Sequence, residues 1–243
     1  MASKLFPHWD MRTLPEFPII YIMSCKRSGK TILTTAIYLE FLEENFDLVV
    51  VLCGNPHSAR AWRLHVPEKY VHSRYRTEVL SEFFRESDRQ MRKGKTLPKT
   101  AIILDDVLRM RKSDGKSRTM DDANLHRAFQ EHRHYNLSLI LISQNIACGT
   151  SSWCRNSDIF IFAPSSLTNN NDAENICRSY MGYQRNLDIN YELLDTFEKY
   201  EFLVIRYHTA SRKQKDLLRY YKVDKKMVTY ITQPSSEEVQ PSV

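Results

Sequence analysis

One stretch constrains this chain more than any other. The apolar run Ile19-Ile20-Tyr21-Ile22-Met23 passes into the polar octet Ser24-Cys25-Lys26-Arg27-Ser28-Gly29-Lys30-Thr31, and apolar residues at helical spacing follow. Strand, loop and helix N-terminus in that order make a cradle for phosphate, because backbone N–H groups around residues 27 to 31 lie at the positive end of a helix dipole. Gly29 lets the backbone approach closely. Lys30 would reach the outer phosphates of a nucleoside triphosphate, and the Thr31 hydroxyl would ligate Mg²⁺. The usual spacing is G-x-x-x-x-G-K-[ST], and Ser24 stands where the first glycine is expected. A Gly-Lys-Thr string alone would read as a surface turn. Its place between an apolar run and an amphipathic one favours a phosphate-binding P-loop.

The rest of the chain repeats the alternation. After the loop, Ile32, Leu33, Ala36, Ile37 and Phe41 are spaced for one buried helical face. Residues 47–53 (DLVVVLC) form an unalternating apolar run that stops at Gly54-Asn55-Pro56, as suits a parallel strand buried on both faces. A helical pattern through Val79, Leu80, Phe83, Phe84 and Met91 comes next. Residues 100–107 read as the third strand, 121–134 as a helix capped by Asp121 or Asp122, 137–144 as the fourth strand and 158–164 as the fifth. Strands alternating with helices predict an α/β domain with a mainly parallel sheet. The expected organisation is a lead-in over 1–16, the core over 17–164, a C-terminal extension of the same domain over 165–232 and a polar, disordered tail over 233–243. The extension reads as helices near 172–180 and 191–199, the apolar run at 201–207, a basic stretch at 211–215 and an edge strand over 217–223.

Chemistry is expected where the strands end. Asp105 and Asp106 close the third strand downstream of the loop, at the edge where open parallel sheets bind ligands. Asp105 is assigned to Mg²⁺, directly or through water, and Asp106 to polarising the water that attacks the γ-phosphate. Gln144, ending the fourth strand, is placed to hydrogen-bond that phosphate or that water. Arg133 and Arg155, just before strands four and five, lie at the opposite edge and would serve a neighbouring subunit's transition state. The basic loop containing Arg109, Arg111, Lys112, Lys116 and Arg118 directly follows the carboxylates and could touch a phosphodiester backbone. His126, His132 and His134 lack metal-ligand spacing and read as helix-surface residues.

Composition narrows the class without choosing the function. With 42% hydrophobic and 11% aromatic residues in 243, the chain can bury a substantial core. No apolar run approaches the roughly 18 residues of a membrane helix, and the first ten residues lack a secretory apolar core, so a non-secreted protein is expected. Five cysteines (25, 53, 148, 154 and 177) form no tight framework and are expected reduced. A net charge of +6 leans towards an anionic partner.

Taken together, Ser24 to Thr31, Ile102-Ile103-Leu104-Asp105-Asp106, and Arg133-His134-Tyr135-Asn136 leading through 137–142 to Ser143-Gln144 resemble the genome-packaging ATPases of large double-stranded DNA viruses and virophages. These belong to the FtsK–HerA group of P-loop motors. The approach Arg155-Asn156-Ser157-Asp158 to the fifth strand is similar too. The likeness covers about residues 17–164. It implies a RecA/ASCE-like P-loop NTPase fold, a three-layer sandwich with a small C-terminal extension. It also implies a homo-oligomeric ring that hydrolyses ATP with Mg²⁺ to push double-stranded DNA into a preformed capsid. A capsid or portal-vertex protein would then be a partner, in the virion or at sites of assembly in host cytoplasm or nucleus. By the same likeness Ser24, Cys25, Lys26, Arg27, Ser28, Gly29, Lys30 and Thr31 hold nucleotide. Asp105 and Asp106 form the Walker B pair, Gln144 is the sensor, and Arg133 or Arg155 acts in trans. A small-molecule P-loop kinase and a non-hydrolysing nucleotide-dependent assembly module are the alternatives. The second carboxylate and the Ser-Gln strand end weigh against both.

Overall fold

A computed structural model of the chain describes residues 6–23, 28–107, 122–144, 157–166, 194–206 and 217–232. Among these residues the frame is a sheet of eight strands in the order β3-β2-β4-β5-β1-β6-β7-β8. In chain order these are β1 (Ile19–Met23), β2 (Leu48–Cys53), β3 (Val71–His72), β4 (Thr100–Asp105), β5 (Leu137–Ser143), β6 (Ile159–Phe162), β7 (Glu201–Arg206) and β8 (Leu218–Lys222). Every pairing from β3 across to β6 is parallel. The last two pairings, β6 with β7 and β7 with β8, are antiparallel. β1 sits between β5 and β6, and every one of its residues is buried. Its unbroken apolar composition is the chemistry of a strand covered on both faces.

The two faces fill differently because side chains alternate along a strand. Ile20 and Ile22 of β1 join a cluster with Ile32, Leu33, Ala36 and Ile37 of helix α1 (Lys30–Ile37). That helix continues through a π-helical turn, Tyr38–Leu42, into a short α2 (Glu43–Asn45). The wider turn keeps Tyr38, Phe41 and Leu42 all buried. On the same face lie α3 (Pro56–Trp62), through Ala59 and Trp62, and, further along the sheet, α6 (Lys225–Thr232). Ile19, Tyr21 and Met23 point the other way, into a cluster with Leu80 and Phe84 of α4 (Thr77–Arg92) and Leu125, Ala128 and Phe129 of α5 (Ala123–Glu131). The result is helices, sheet and helices: the three-layer α/β sandwich anticipated.

Several local expectations are met and some are refined. The loop helix, the Val79-to-Met91 helix and strands one to five fall where periodicity puts them, and Asp122 rather than Asp121 caps α5, accepting from the N–H groups of Asn124 and Leu125 at 2.8 and 3.4 Å. Two small elements escape a periodicity reading: β3, with two residues, and α3, with seven. α3 is announced only by its start, where Asn55 accepts from Ser58 N–H at 2.9 Å and Pro56 opens the helix. The lead-in is not free of the sheet, since Trp9 N–H donates to Tyr220 O at 2.7 Å and Tyr220 N–H to Pro7 O at 2.9 Å. The histidine reading needs one correction. His126 and His134 are exposed, but His132 is buried, and burial lowers its pKa, so it is a neutral packing residue. Cys53 is a free buried thiol whose pKa burial pushes up to about 12, so it is unreactive. The helix expected near 172–180, the first three residues of that near 191–199, the basic stretch 211–215 and the tail lie outside the described residues; over 194–199 only a short helical turn at its start is seen.

The entry of β1 is fastened by a buried carboxylate. Asp158, only 5% exposed, accepts Ile19 N–H at 2.8 Å through Oδ2 and the Arg133 guanidinium at 3.0 Å through Oδ1. Replacing it with alanine leaves a buried N–H unpaired, a loss of about 1–3 kcal/mol. Arg133 is the exposed half of the pair, with 64% of its side chain in solvent, so removing it should cost under about 1 kcal/mol. Urea unfolding of Asp158→Ala and Arg133→Ala is expected to rank them in that order; equal losses would mean that the guanidinium, not the backbone bond, fastens β1.

Candidate nucleotide site

The site is assembled at the carboxyl edge of the sheet. Gly29 caps α1 in the left-handed conformation, φ +90°, and its carbonyl accepts the first helical bond from Leu33 N–H at 2.9 Å. A β-carbon at Gly29 would lie 2.7 Å from Cδ1 of Tyr200, so this position excludes a side chain on both conformation and space. Lys30 and Thr31 follow in the first turn. Ser24, Cys25, Lys26 and Arg27 lie outside the described residues, as do Arg155 and the loop with Arg109, Arg111, Lys112, Lys116 and Arg118.

Two strands away, the chain turns sharply after β4. Asp105 is the last strand residue, and Asp106 leaves it in the left-handed region at φ +56°, with its N–H donating to Ile142 O at 2.9 Å. Gly54 makes that turn possible. Its N–H donates to Asp105 O at 2.7 Å, and a β-carbon there would stand 2.1 Å from the Asp106 carbonyl oxygen.

The two carboxylates are held by different partners. Trp62, from the end of α3, donates Nε1–H to Asp105 Oδ2 at 3.0 Å. Gln144, just past β5, donates Nε2–H to Asp106 Oδ2 at 2.7 Å. Burial raises the Asp105 carboxyl above its ordinary value and the neighbouring Asp106 charge adds to this, while the Trp62 bond, the Lys30 ammonium and Ser58 pull it back. Thr31, Ser58, Trp62 and Asp105 line one cavity of about 240 Å³. Among the described residues no three His, Cys, Asp or Glu side chains cluster to hold a metal by themselves. A P-loop metal needs no such cluster, because one hydroxyl and one carboxylate leave the remaining positions to water and phosphate oxygens. Thr31 and Asp105 on one cavity fit that requirement.

The strand order therefore unites Lys30, Thr31, Asp105, Asp106 and Gln144 at one edge, with β5 between the loop strand and the carboxylate strand. Arg133 lies at the opposite edge, on Asp158. Sequence reasoning overlooked Trp62 and Tyr200, and it gave Asp158 no role beyond its place in the approach to the fifth strand. The Asn55-Pro56 cap could have disclosed the helix carrying Trp62; no local signal marks the other two as partners of the loop and its strand.

This fold is that of the P-loop NTPases, a nucleotide-handling class of α/β proteins. No family model and no curated protein matches the chain by sequence. Solved structures match it by fold. The genome packaging NTPase B204 of Sulfolobus turreted icosahedral virus 2, in complex with AMPPCP, superposes with a TM-score of 0.54 at 16% identity, over 87% of this chain and 100% of B204. B204 of Sulfolobus Turreted Icosahedral Virus, a DNA-packaging ATPase, gives 0.59 at 16% identity, over 86% and 98%. The pCW3 conjugation coupling protein TcpA, with ATPγS, gives 0.53 at 13% identity, over 89% of this chain and 69% of TcpA. The likeness to viral packaging ATPases noted in the motifs is thus also a likeness of fold.

The raised pKa of Asp105 carries a sign that can be measured. The unfolded chain gives up this proton near the ordinary 3.8 and the folded chain only at higher pH. The charged carboxylate therefore costs folding free energy at neutral pH, and the cost disappears below the unfolded value. Asp105→Asn is expected to raise the melting temperature of the nucleotide-free protein at neutral pH, with the gain shrinking as pH falls towards the ordinary carboxylate range. A variant that melts lower at neutral pH would mean that the Lys30 attraction outweighs burial.

Proposed function

We propose that the chain is an ATP-hydrolysing motor that translocates double-stranded DNA and packages a viral genome. The observation that carries the hydrolytic part is the shared edge: a helix N-terminus with Lys30 and Thr31, the carboxylates Asp105 and Asp106, and Gln144 bonded to Asp106 at 2.7 Å. In this reading the triphosphate lies against residues 24–31, with Lys30 on the β- and γ-phosphates. Thr31 and Asp105 would hold Mg²⁺, which would neutralise charge on the phosphate oxygens. Asp106 orients a water and accepts its proton as the water oxygen attacks the γ-phosphorus. The bond from that phosphorus to the bridging oxygen breaks, and ADP and phosphate leave. Gln144 reaches Asp106 already and would report the γ-phosphate to it.

The motor part rests on likeness. The genome packaging NTPase and the conjugation coupling protein share the fold, and the +6 net charge suits a polyanion. A ring of identical subunits would place Arg133 or Arg155 of one copy near the phosphates of the next. For Arg133 this requires release from Asp158. Residues 109–118 would contact the DNA backbone, and a capsid or portal-vertex protein would anchor the ring at sites of viral assembly.

Phosphate release from ATP, measured with and without long duplex DNA, tests the reading. The wild type is expected to turn over faster with DNA. Lys30→Ala and Asp106→Asn should each lose a factor of about 10² or more, the range of a positioned acid–base group. Turnover indifferent to DNA would remove the motor and point to a small-molecule phosphate acceptor instead.

A further inference from the structure

The polyphosphate machinery occupies only one side of the loop. Asp105, Asp106 and Gln144 come from β4 and β5, on one flank of β1. On the other flank, beyond β6, the chain enters β7 through a turn at Glu198, Lys199 and Tyr200. β7 runs antiparallel to β6, so its first residue lies at the same carboxyl edge as the loop.

This turn is tightly built. Glu201 is only 4% exposed and accepts Glu198 N–H at 2.8 Å, Tyr220 OH at 2.8 Å and Lys222 Nζ at 2.9 Å. Glu201 N–H returns to Glu198 O at 3.1 Å, and Val223 N–H donates to Tyr200 O at 3.3 Å. Between these anchors Tyr200 is forced to φ +66°, a conformation that glycine adopts freely and a bulky aromatic residue rarely does. Its ring rests on Gly29, with Cδ1 and Cε1 at 2.7 and 3.1 Å from where a β-carbon would stand. The ring is half-buried, and the exposed Lys199 holds its ammonium 4.9 Å from the ring centre. A strained aromatic side chain thus meets Gly29 on the flank away from the carboxylates, with the Lys199 ammonium over its ring.

We propose that Tyr200 is the platform on which the nucleobase of the triphosphate stacks. The inference rests on the nucleotide-hydrolysing reading above and adds the nucleoside end to it. A triphosphate whose γ end faces Asp106 and Gln144 must send its nucleoside the other way, towards β6 and β7, where Tyr200 waits at Gly29. Base stacking tolerates any purine or pyrimidine face, so the platform supplies affinity for a nucleoside rather than a choice among bases.

Calorimetric titration of the full chain with ATP and with inorganic tripolyphosphate, both with Mg²⁺, tests this in wild type, Tyr200→Gly and Tyr200→Phe. Glycine suits the backbone at this position, so the ring is removed without forcing the turn, and melting curves check that the fold persists. The wild type is expected to prefer ATP to tripolyphosphate. Tyr200→Gly should weaken ATP binding by about 5- to 150-fold, the worth of one base–aromatic stack, and leave tripolyphosphate binding unchanged, while Tyr200→Phe keeps both. Equal weakening of both ligands, or none for ATP, would overturn the platform and leave Tyr200 as a support for the loop. Failure of the wild type to bind either ligand would instead overturn the nucleotide reading beneath it.

Discussion

Parallel pairing is the constraint on which everything else depends. Because β2, β4, β5, β1 and β6 all run the same way, their carboxyl ends emerge at one edge, and whatever polar residue terminates each strand is delivered there. Met23 leads into the phosphate loop, Asp105 and Asp106 end β4, and Gln144 follows β5. The register is tight enough to matter: Met23 pairs with Ser143, and Asp105 with Ile142. A strand's period of two means that a one-residue slip would turn its side chains to the other face of the sheet. The continuous apolar runs prevent that slip only indirectly, through burial on both faces, so the polar contacts at the strand ends share the task of fixing register.

Those contacts are costly ones. Asp106 takes a left-handed backbone, its carbonyl oxygen leaves no room for a side chain at Gly54, and Tyr200 takes a left-handed backbone to rest on Gly29. Asp105 is a carboxylate kept where burial disfavours its charge, with Trp62 and Lys30 offsetting part of the penalty. Left-handed backbone and a disfavoured buried charge meet at this one edge, and such features cluster where sites are built. At the opposite edge the reverse holds. Asp158 is buried too, but it accepts both a backbone N–H and a guanidinium, which is the arrangement of a fastening. An arginine so employed can act on a neighbour only by leaving that carboxylate behind.

The antiparallel end of the sheet changes how the C-terminal part is understood. Residues 201–206 and 218–222 are no appendage: they extend the central sheet beside β6, and the N-terminal residues Pro7 and Trp9 bond to Tyr220 of its last strand. β7 brings Tyr200 back to the edge where β1 ends, so this part contributes directly to the surroundings of the phosphate loop.

Much was legible along the chain because its signals are local. A glycine before lysine and threonine at the end of an apolar run, two carboxylates ending another and a glutamine ending a third are short-range patterns, and their strand assignments follow from uninterrupted hydrophobicity. Helix α3 was less legible, since seven residues with only Ala59 and Trp62 buried show no helical period. The buried state of His132 was legible but missed: it stands three, four and seven residues after the buried Phe129, Ala128 and Leu125, on the inner face of the helix expected over 121–134. The sequence by itself determined the α/β class and the identity of the polar strand ends. Only the tertiary structure decided that β5 stands between loop and carboxylates, that Gln144 bonds Asp106, that Trp62 bonds Asp105 and that Tyr200 covers Gly29. Each of these joins residues 38 or more positions apart, and strand order and close packing, which bring them together, are properties of the whole sheet that no local pattern encodes.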